Sequence, residues 1–288
     1  MKNAIEIRGL IRRYSSFTLG PVDLDLPAGT VLGLIGENGA GKTTLLRSIL
    51  SAAAADAGTI HVMGTDNRDP SFTELKNRIG AIPDAPCFPA NLSGRQIEKI
   101  MSMFFRDWDD RIFNAYAEKF RLPLGQEFSE YSKGTAAKLN IACALSHHPD
   151  LLIMDEPTSG LDPVVRDEVL DVFNNFARDE NHAVLISTHI LSDLEKICDY
   201  IAFLHEGQIL FCQPKDELLD SHVIVKWDSQ EHPEIGGLGF VTIKEGSYGN
   251  EGLLLRSALP QALPPGIITE RATIEDIMIF TARAAGKR

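Results

Sequence analysis

The sequence predicts an α/β protein: a mixed sheet with an antiparallel β layer, a helical insertion, and a small C-terminal α+β appendage. Three observations predict it. Residues 30–35 form a short apolar run that reads as a buried strand, and residues 44–50 have helical spacing, with the glycine-rich run Gly36-Glu37-Asn38-Gly39-Ala40-Gly41-Lys42-Thr43-Thr44 around their junction. Residues 151–154, 163–179 and 183–187 then read as strand, helix, strand, a βαβ unit that requires a parallel sheet. Between these two regions, residues 93–106, 109–120 and 133–147 carry helical periodicity, broken at residues 107–109 and 122–125.

The remaining elements follow from turn chemistry. Residues 4–8, 22–26 and 59–63 read as short strands, separated by Gly20-Pro21, Pro27-Ala28-Gly29 and Gly64-Thr65-Asp66. That pattern gives the antiparallel layer. Pro83, Pro86 and Pro89 make a stiff connection into the helical insertion. Residues 200–212 read as a hairpin around Glu206-Gly207. Past Leu219 the pattern weakens. Residues 223–227, 240–243 and 253–255 are strand candidates, Pro260, Pro264 and Pro265 mark a linker, and Thr273-Ile274-Glu275-Asp276 resembles a capping box opening a last helix. The expected division is a core of residues 1–84 and 149–218, a helical subdomain of residues 85–148, and an accessory domain of residues 219–288.

Composition excludes several classes. The chain has 288 residues, 44% of them hydrophobic, which suffices for a large core plus a smaller one. The net charge of −12 argues against free nucleic acid as a partner, because phosphate backbones require basic stripes. No apolar stretch reaches the ~18 residues of a membrane span, and the first residues show no signal-peptide core. Cys87, Cys143, Cys198 and Cys212 lack metal-ligand spacing and read as reduced thiols.

The glycine-rich run carries the chemistry. It fits G-x-x-x-x-G-K-[ST], the phosphate loop of nucleotide-binding proteins. Glycines let the backbone approach closely enough for its N–H groups to cradle phosphates. Gly36, Asn38, Gly39, Ala40, Gly41, Lys42, Thr43 and Thr44 are therefore the candidate nucleotide contacts. Lys42 is placed to reach the β- and γ-phosphates, and Thr43 to offer a hydroxyl to Mg²⁺. The second motif is residues 151–156, an apolar strand ending in Asp155 and Glu156. Phosphate-loop enzymes hold their Mg²⁺ shell with an aspartate at the carboxyl end of such a strand. Glu156 is placed to polarise an attacking water.

With both motifs in hand, residues 4–215 resemble the ATP-binding subunits of ABC transporters. The resemblance implies a RecA-like core and ATP hydrolysis with ATP and Mg²⁺ as cofactors. It implies further site residues. Tyr131-Ser132-Lys133-Gly134-Thr135 stands where the family has its Leu-Ser-Gly-Gly-Gln signature; Ser132 and Gly134 match, while Tyr131, Lys133 and Thr135 depart. Ser159-Gly160-Leu161-Asp162 matches the D-loop, and His189 the switch histidine. Tyr14, with Phe17 nearby, stands where relatives stack an aromatic on adenine. Asp84 stands where most relatives carry a glutamine serving the metal and the membrane partner. The Tyr-Ser-Lys-Gly signature and Asp84 resemble the bacitracin- and antibiotic-export class. In that family the signature acts on the ATP of a second subunit. The resemblance thus implies a second ATP-binding subunit, identical or different, and a separate transmembrane permease, with this chain peripheral on the cytoplasmic face. The alternatives are an ABC-type ATPase acting on nucleic acid or ribosomes, and a weakly hydrolysing regulatory subunit of a heterodimer.

Overall fold

A computed structural model describes residues 3–84, 87–228, 232–246 and 249–286. Pro86, one of the three prolines of the expected stiff connection, lies outside the described residues. The chain divides into two compact units, residues 1–209 and 210–288.

The first unit opens with β1 (Asn3–Arg13) and β2 (Thr18–Pro27), an antiparallel pair in which Ile7 lies opposite Leu24. With β4 (Ala57–Val62) and β5 (Thr65–Asp66) they form one sheet in the order β2-β1-β4-β5. Ile5, Ile7, Leu10, Leu19 and Leu26 are completely buried beneath it. These strands are longer than the turn signals suggested, because register shifts after Ile7 and Leu10 let β1 continue through irregular positions.

The second sheet positions the site. It contains β3 (Val31–Ile35), β6 (Ile79–Ile82), β7 (Leu151–Asp155), β8 (Ala183–Thr188), β9 (Tyr200–His205) and β10 (Gln208–Pro214), in the order β10-β9-β3-β8-β7-β6. The pairings β3–β8, β3–β9, β7–β8 and β6–β7 are all parallel. Every residue of β3, β7 and β8 is buried, as expected of strands covered on both faces. The βαβ pattern is therefore realised, with its parallel sheet. β6 has no alternating pattern and is not legible as a strand; it pairs with β7 in continuous register through Gly80, where a Cβ would press on Leu152 and the Ala144 carbonyl.

Helices α1 (Lys42–Ile49), α2 (Phe72–Leu75), α6 (Pro163–Phe176) and α7 (Leu191–Ile197) accompany this sheet. Asp162 caps α6 by accepting from the Val164 and Val165 amides, and Pro163 fills the first helical position, where its missing N–H is not needed. The helical insertion holds α3 (Gly94–Phe104), α4 (Asp110–Lys119) and α5 (Lys133–Leu145). Its aromatics mostly turn inward: Phe88 meets Phe128 edge-on, Phe105 stacks on His147, and Trp108 packs on Phe113. Phe104, at the end of α3, is the exception at 77% exposed, and its neighbour Met103 is 75% exposed.

The second unit includes α8 (Lys215–Ser221) and an antiparallel sheet of β11 (His222–Trp227), β12 (Phe240–Gly246), β13 (Gly249–Leu255) and β14 (Ile268–Arg271). Its order is β12-β13-β11-β14. One face carries a core of Val223, Val225, Trp227, Ile235 and Leu254, with Trp227 stacked on Phe240. Helix α9 (Ile274–Ala285) starts at the expected capping box, in which Thr273 and Asp276 each accept the other's backbone amide. Among the described residues, no helix is long and apolar enough to cross a membrane.

Phe173 on α6 is completely buried. Its replacement by alanine is expected to destabilise the first unit by about 3–5 kcal/mol. A lower urea midpoint at unchanged slope would register the loss.

Candidate active site

The phosphate loop leaves the carboxyl end of β3 and runs into the N-terminus of α1. Two glycines are sterically required. A Cβ at Gly36 would lie 2.3 Å from the Leu204 carbonyl oxygen. Gly41 caps α1 at φ +109°, and a Cβ there would meet Phe17 at 2.8 Å. The loop is braced from below: Ala40 is buried, and its carbonyl accepts from the Gly207 amide at 3.1 Å.

The side chains at the loop's mouth form one connected set. Lys42 is 7% exposed. Its ammonium donates to the Gly36 carbonyl at 2.6 Å and lies 3.4 Å from Glu156 Oε1. Thr43 Oγ1 donates to Asp155 Oδ2 at 2.6 Å, and Ser187 Oγ donates to Asp155 Oδ1 at 2.5 Å. Register explains the second bond, because Asp155 on β7 stands directly opposite Ser187 on β8. Glu156 follows at φ +49°, a left-handed backbone that costs a side-chain-bearing residue about 1–3 kcal/mol. The turn is held by its amide, which donates to the Ser187 carbonyl at 3.0 Å. Glu156 Oε2 pairs with His189 Nδ1 at 2.7 Å.

A cleft of about 240 Å³ opens beside this set. Its lining brings together Asn38, Gly39, Gly41, Lys42, Thr43 and Thr44 of the loop with Asp84, Asp155 and Glu156. Asp84 reaches it from the chain that follows β6. Phe17, and not Tyr14, is the aromatic on the cleft wall. Tyr14 is 45% exposed and lies under the Arg12 guanidinium, 5.0 Å from the ring centroid. The reason is local: the Tyr14 amide bonds the Phe17 carbonyl across a tight turn, and Phe17, just ahead of β2, lies beside Gly41.

The signature residues lie elsewhere. Ser132 caps α5, its hydroxyl accepting from the Thr135 amide at 3.1 Å. Gly134 faces α6, where an added Cβ would touch Val165 at 3.4 Å. Lys133 extends over Gly160 of the D-loop, whose φ is +68°; a Cβ at Gly160 would come within 3.0 Å of the Lys133 ammonium. Lys133, Ser159 and Glu156 share the wall of a second cavity of about 490 Å³. The D-loop turn itself is closed by the Ser159 amide bonding the Glu156 carbonyl.

Sequence reasoning missed Ser187 as a member of the set. Its signal was present: the hydroxyls of Ser187 and Thr188 end a strand whose other four residues are apolar. It also ranked Tyr14 above Phe17, and nothing in the local sequence distinguishes two aromatics flanking one turn.

Residues 19–159 match the family model described as ABC transporter. The chain is 33% identical to the bacitracin transport ATP-binding protein BcrA of Enterococcus faecalis, over 73% of this chain and 69% of that protein. It is 33% identical to the lantibiotic transport ATP-binding protein SrtF of Streptococcus pyogenes, over 72% of this chain and 89% of that protein. A solved structure of the ATP-binding subunit of an ABC transporter superposes with a TM-score of 0.66 at 27% identity, covering 75% of this chain and 91% of its own. With the phosphate loop, the Asp155-Glu156 strand end and His189 gathered on one side of a parallel sheet, the chain belongs to the ATP-hydrolysing, ATP-binding proteins of the ABC transporter family.

Proposed function

We propose that this chain is one of two ATP-hydrolysing subunits that drive a separate membrane-spanning permease, with ATP closing the pair and hydrolysis reopening it. The observation that carries this reading is the connected set at the loop's mouth: Lys42 beside Glu156, Thr43 on Asp155, and Glu156 on His189. Phosphoryl transfer demands positioning and charge neutralisation more than covalent chemistry. Lys42 and the loop amides take the phosphate charge. Glu156 orients the attacking water, and His189 holds Glu156 while facing the γ-phosphate.

The donor set suits Mg²⁺. The Thr43 hydroxyl and the Asp155 carboxylate are hard oxygen ligands already in contact, and Asp84 shares their cleft. Mg²⁺ is typically bound by one or two carboxylates together with substrate phosphates, keeping several waters. Bound there, it would supply charge neutralisation to the phosphates. Asp84 is shorter than the glutamine of most relatives and would serve the ion through water.

Ser132, Lys133 and Gly134 stand outside the cleft lined by their own phosphate loop, which supports their acting on the ATP of a second chain. The D-loop residues Ser159, Gly160 and Asp162 would lie along the shared interface. The exposed Met103 and Phe104 support the helical insertion as the surface that meets the permease. The chain would then sit peripherally on the cytoplasmic face. Relatives that transport bacitracin and lantibiotics support the antibiotic-exporter class. Residues 219–288 act as an accessory domain in this reading.

Glu156→Gln is expected to lower turnover at least about 100-fold, the scale of lost general-base assistance, while ATP affinity stays as in the wild type. Steady-state hydrolysis and nucleotide titration read the two separately. Light scattering of that variant should show its mass doubling with Mg-ATP. A protein that binds ATP yet stays monomeric would replace the identical pair with a heterodimer. Gly41→Ala is expected to weaken ATP binding about tenfold or more, since the added Cβ strains φ +109° and strikes Phe17. Titration with a fluorescent nucleotide would detect it, and unchanged affinity would count against the close-approach role of Gly41.

A further inference from the structure

The exits of β7 and β8 are joined twice. The first joint is at the chemistry, where Glu156 meets His189. The second lies beneath it. Thr158, just past Glu156, donates its hydroxyl to Asp193 Oδ2 at 2.5 Å. Asp193 belongs to the first turn of α7, one turn past His189. Thr158 is fully buried, and Asp193 is 1% exposed. The other carboxylate oxygen of Asp193 accepts from Arg166 Nε at 2.6 Å, and the same guanidinium reaches Ser192 Oγ. Arg166 lies in the first turn of α6, immediately beyond the D-loop. None of Thr158, Arg166 and Asp193 lines the phosphate cleft.

The placement is informative because of its cost. A carboxylate this buried is tolerated only when hydrogen-bonded and paired, and such pairs add little net stability over an apolar filling. What they supply is direction. Here one carboxylate holds both ends of the D-loop: Thr158 before it and Arg166 after it. It does so from the helix that follows His189. The D-loop, α7 and the Glu156–His189 pair are thereby parts of one hydrogen-bonded ring.

We infer that Asp193 is a positioning residue for ATP hydrolysis, keeping Glu156 and His189 in register with the D-loop. This inference rests on the assignment of Glu156 and His189 to hydrolysis. A displacement of the D-loop by a second subunit would pass through Thr158 and Arg166 to α7, and so to His189. The ring is a contiguous physical network of the kind that carries coupling between sites.

The test is a set of substitutions in the full chain. Asp193→Asn keeps the shape and an acceptor for Thr158 but discharges the partner of Arg166. It is expected to lower kcat about 10- to 100-fold, the effect of sub-ångström to ångström misplacement of catalytic groups. ATP affinity should remain unchanged, and Asp193→Glu should recover part of the loss. In a His189→Ala background the Asn substitution should add little, because the group it acts through is gone. Wild-type kcat in Asp193→Asn would overturn the inference. So would a loss fully additive with His189→Ala and accompanied by matching losses in ATP affinity and Tm, the behaviour of an ordinary structural ion pair. If Asp193→Asn does not fold, Thr158→Val removes the hydroxyl link and keeps the ion pair. It must then reproduce the kcat loss, and wild-type turnover in it overturns the inference. If the wild-type chain itself fails to hydrolyse ATP, the assignment of Glu156 falls first and the inference falls with it.

Discussion

Both carboxylate oxygens of Asp155 are occupied, one by the Thr43 hydroxyl and one by the Ser187 hydroxyl, and the rest of the site hangs from that double contact. Thr43 lies in the first turn of α1, so the first bond fixes the phosphate loop to β7. Ser187 is the last residue but one of β8, so the second fixes the strand that leads to His189. A buried carboxylate needs such donors, because an unpaired one in a parallel sheet would cost several kcal/mol. The next residue, Glu156, leaves the strand in a left-handed turn, and its side chain reaches Lys42 and His189. An extended residue there would continue along β7. The backbone strain at Glu156 thus sets the direction of the group assigned to the water.

Much of this was legible in the sequence because it depends on local rules. The loop follows from glycines that no other residue can replace, and β3, β7 and β8 from apolar runs buried on two faces. The capping box at Thr273 and the proline at the start of α6 are likewise short-range signals. Other features depend on contacts between distant segments. The Ser187–Asp155 bond arises from strand register, and β6 becomes a strand only because β7 lies beside it. Phe17 displaces Tyr14 from the cleft wall because of how one turn folds against Gly41. The Thr158–Asp193–Arg166 cluster brings α7 back onto both sides of the turn before α6, across about 30 residues of chain, and no motif contains all three.

The second unit follows a different logic. Its strands alternate between a face packed on Trp227 and Val225 and an opposite face, and it holds its own core. No residue of the connected ATP set comes from it. Its sequence reads weakly because short antiparallel strands rely on cross-strand pairs such as Ile224 opposite Leu253, which only register reveals.

The turn between β9 and β10 bears on how small a working fragment of this protein can be. Glu206 and Gly207 both have positive φ, the geometry of a tight two-residue hairpin. The Gly207 amide bonds the Ala40 carbonyl of the phosphate loop, and its own carbonyl accepts from the Gly20 amide near the start of β2. The last family motif is His189, and a fragment trimmed just after it would retain every motif. It would also leave a loop carbonyl and a strand amide without their partners. A chain that keeps both bonds therefore extends at least through Gly207, further than the motifs themselves indicate.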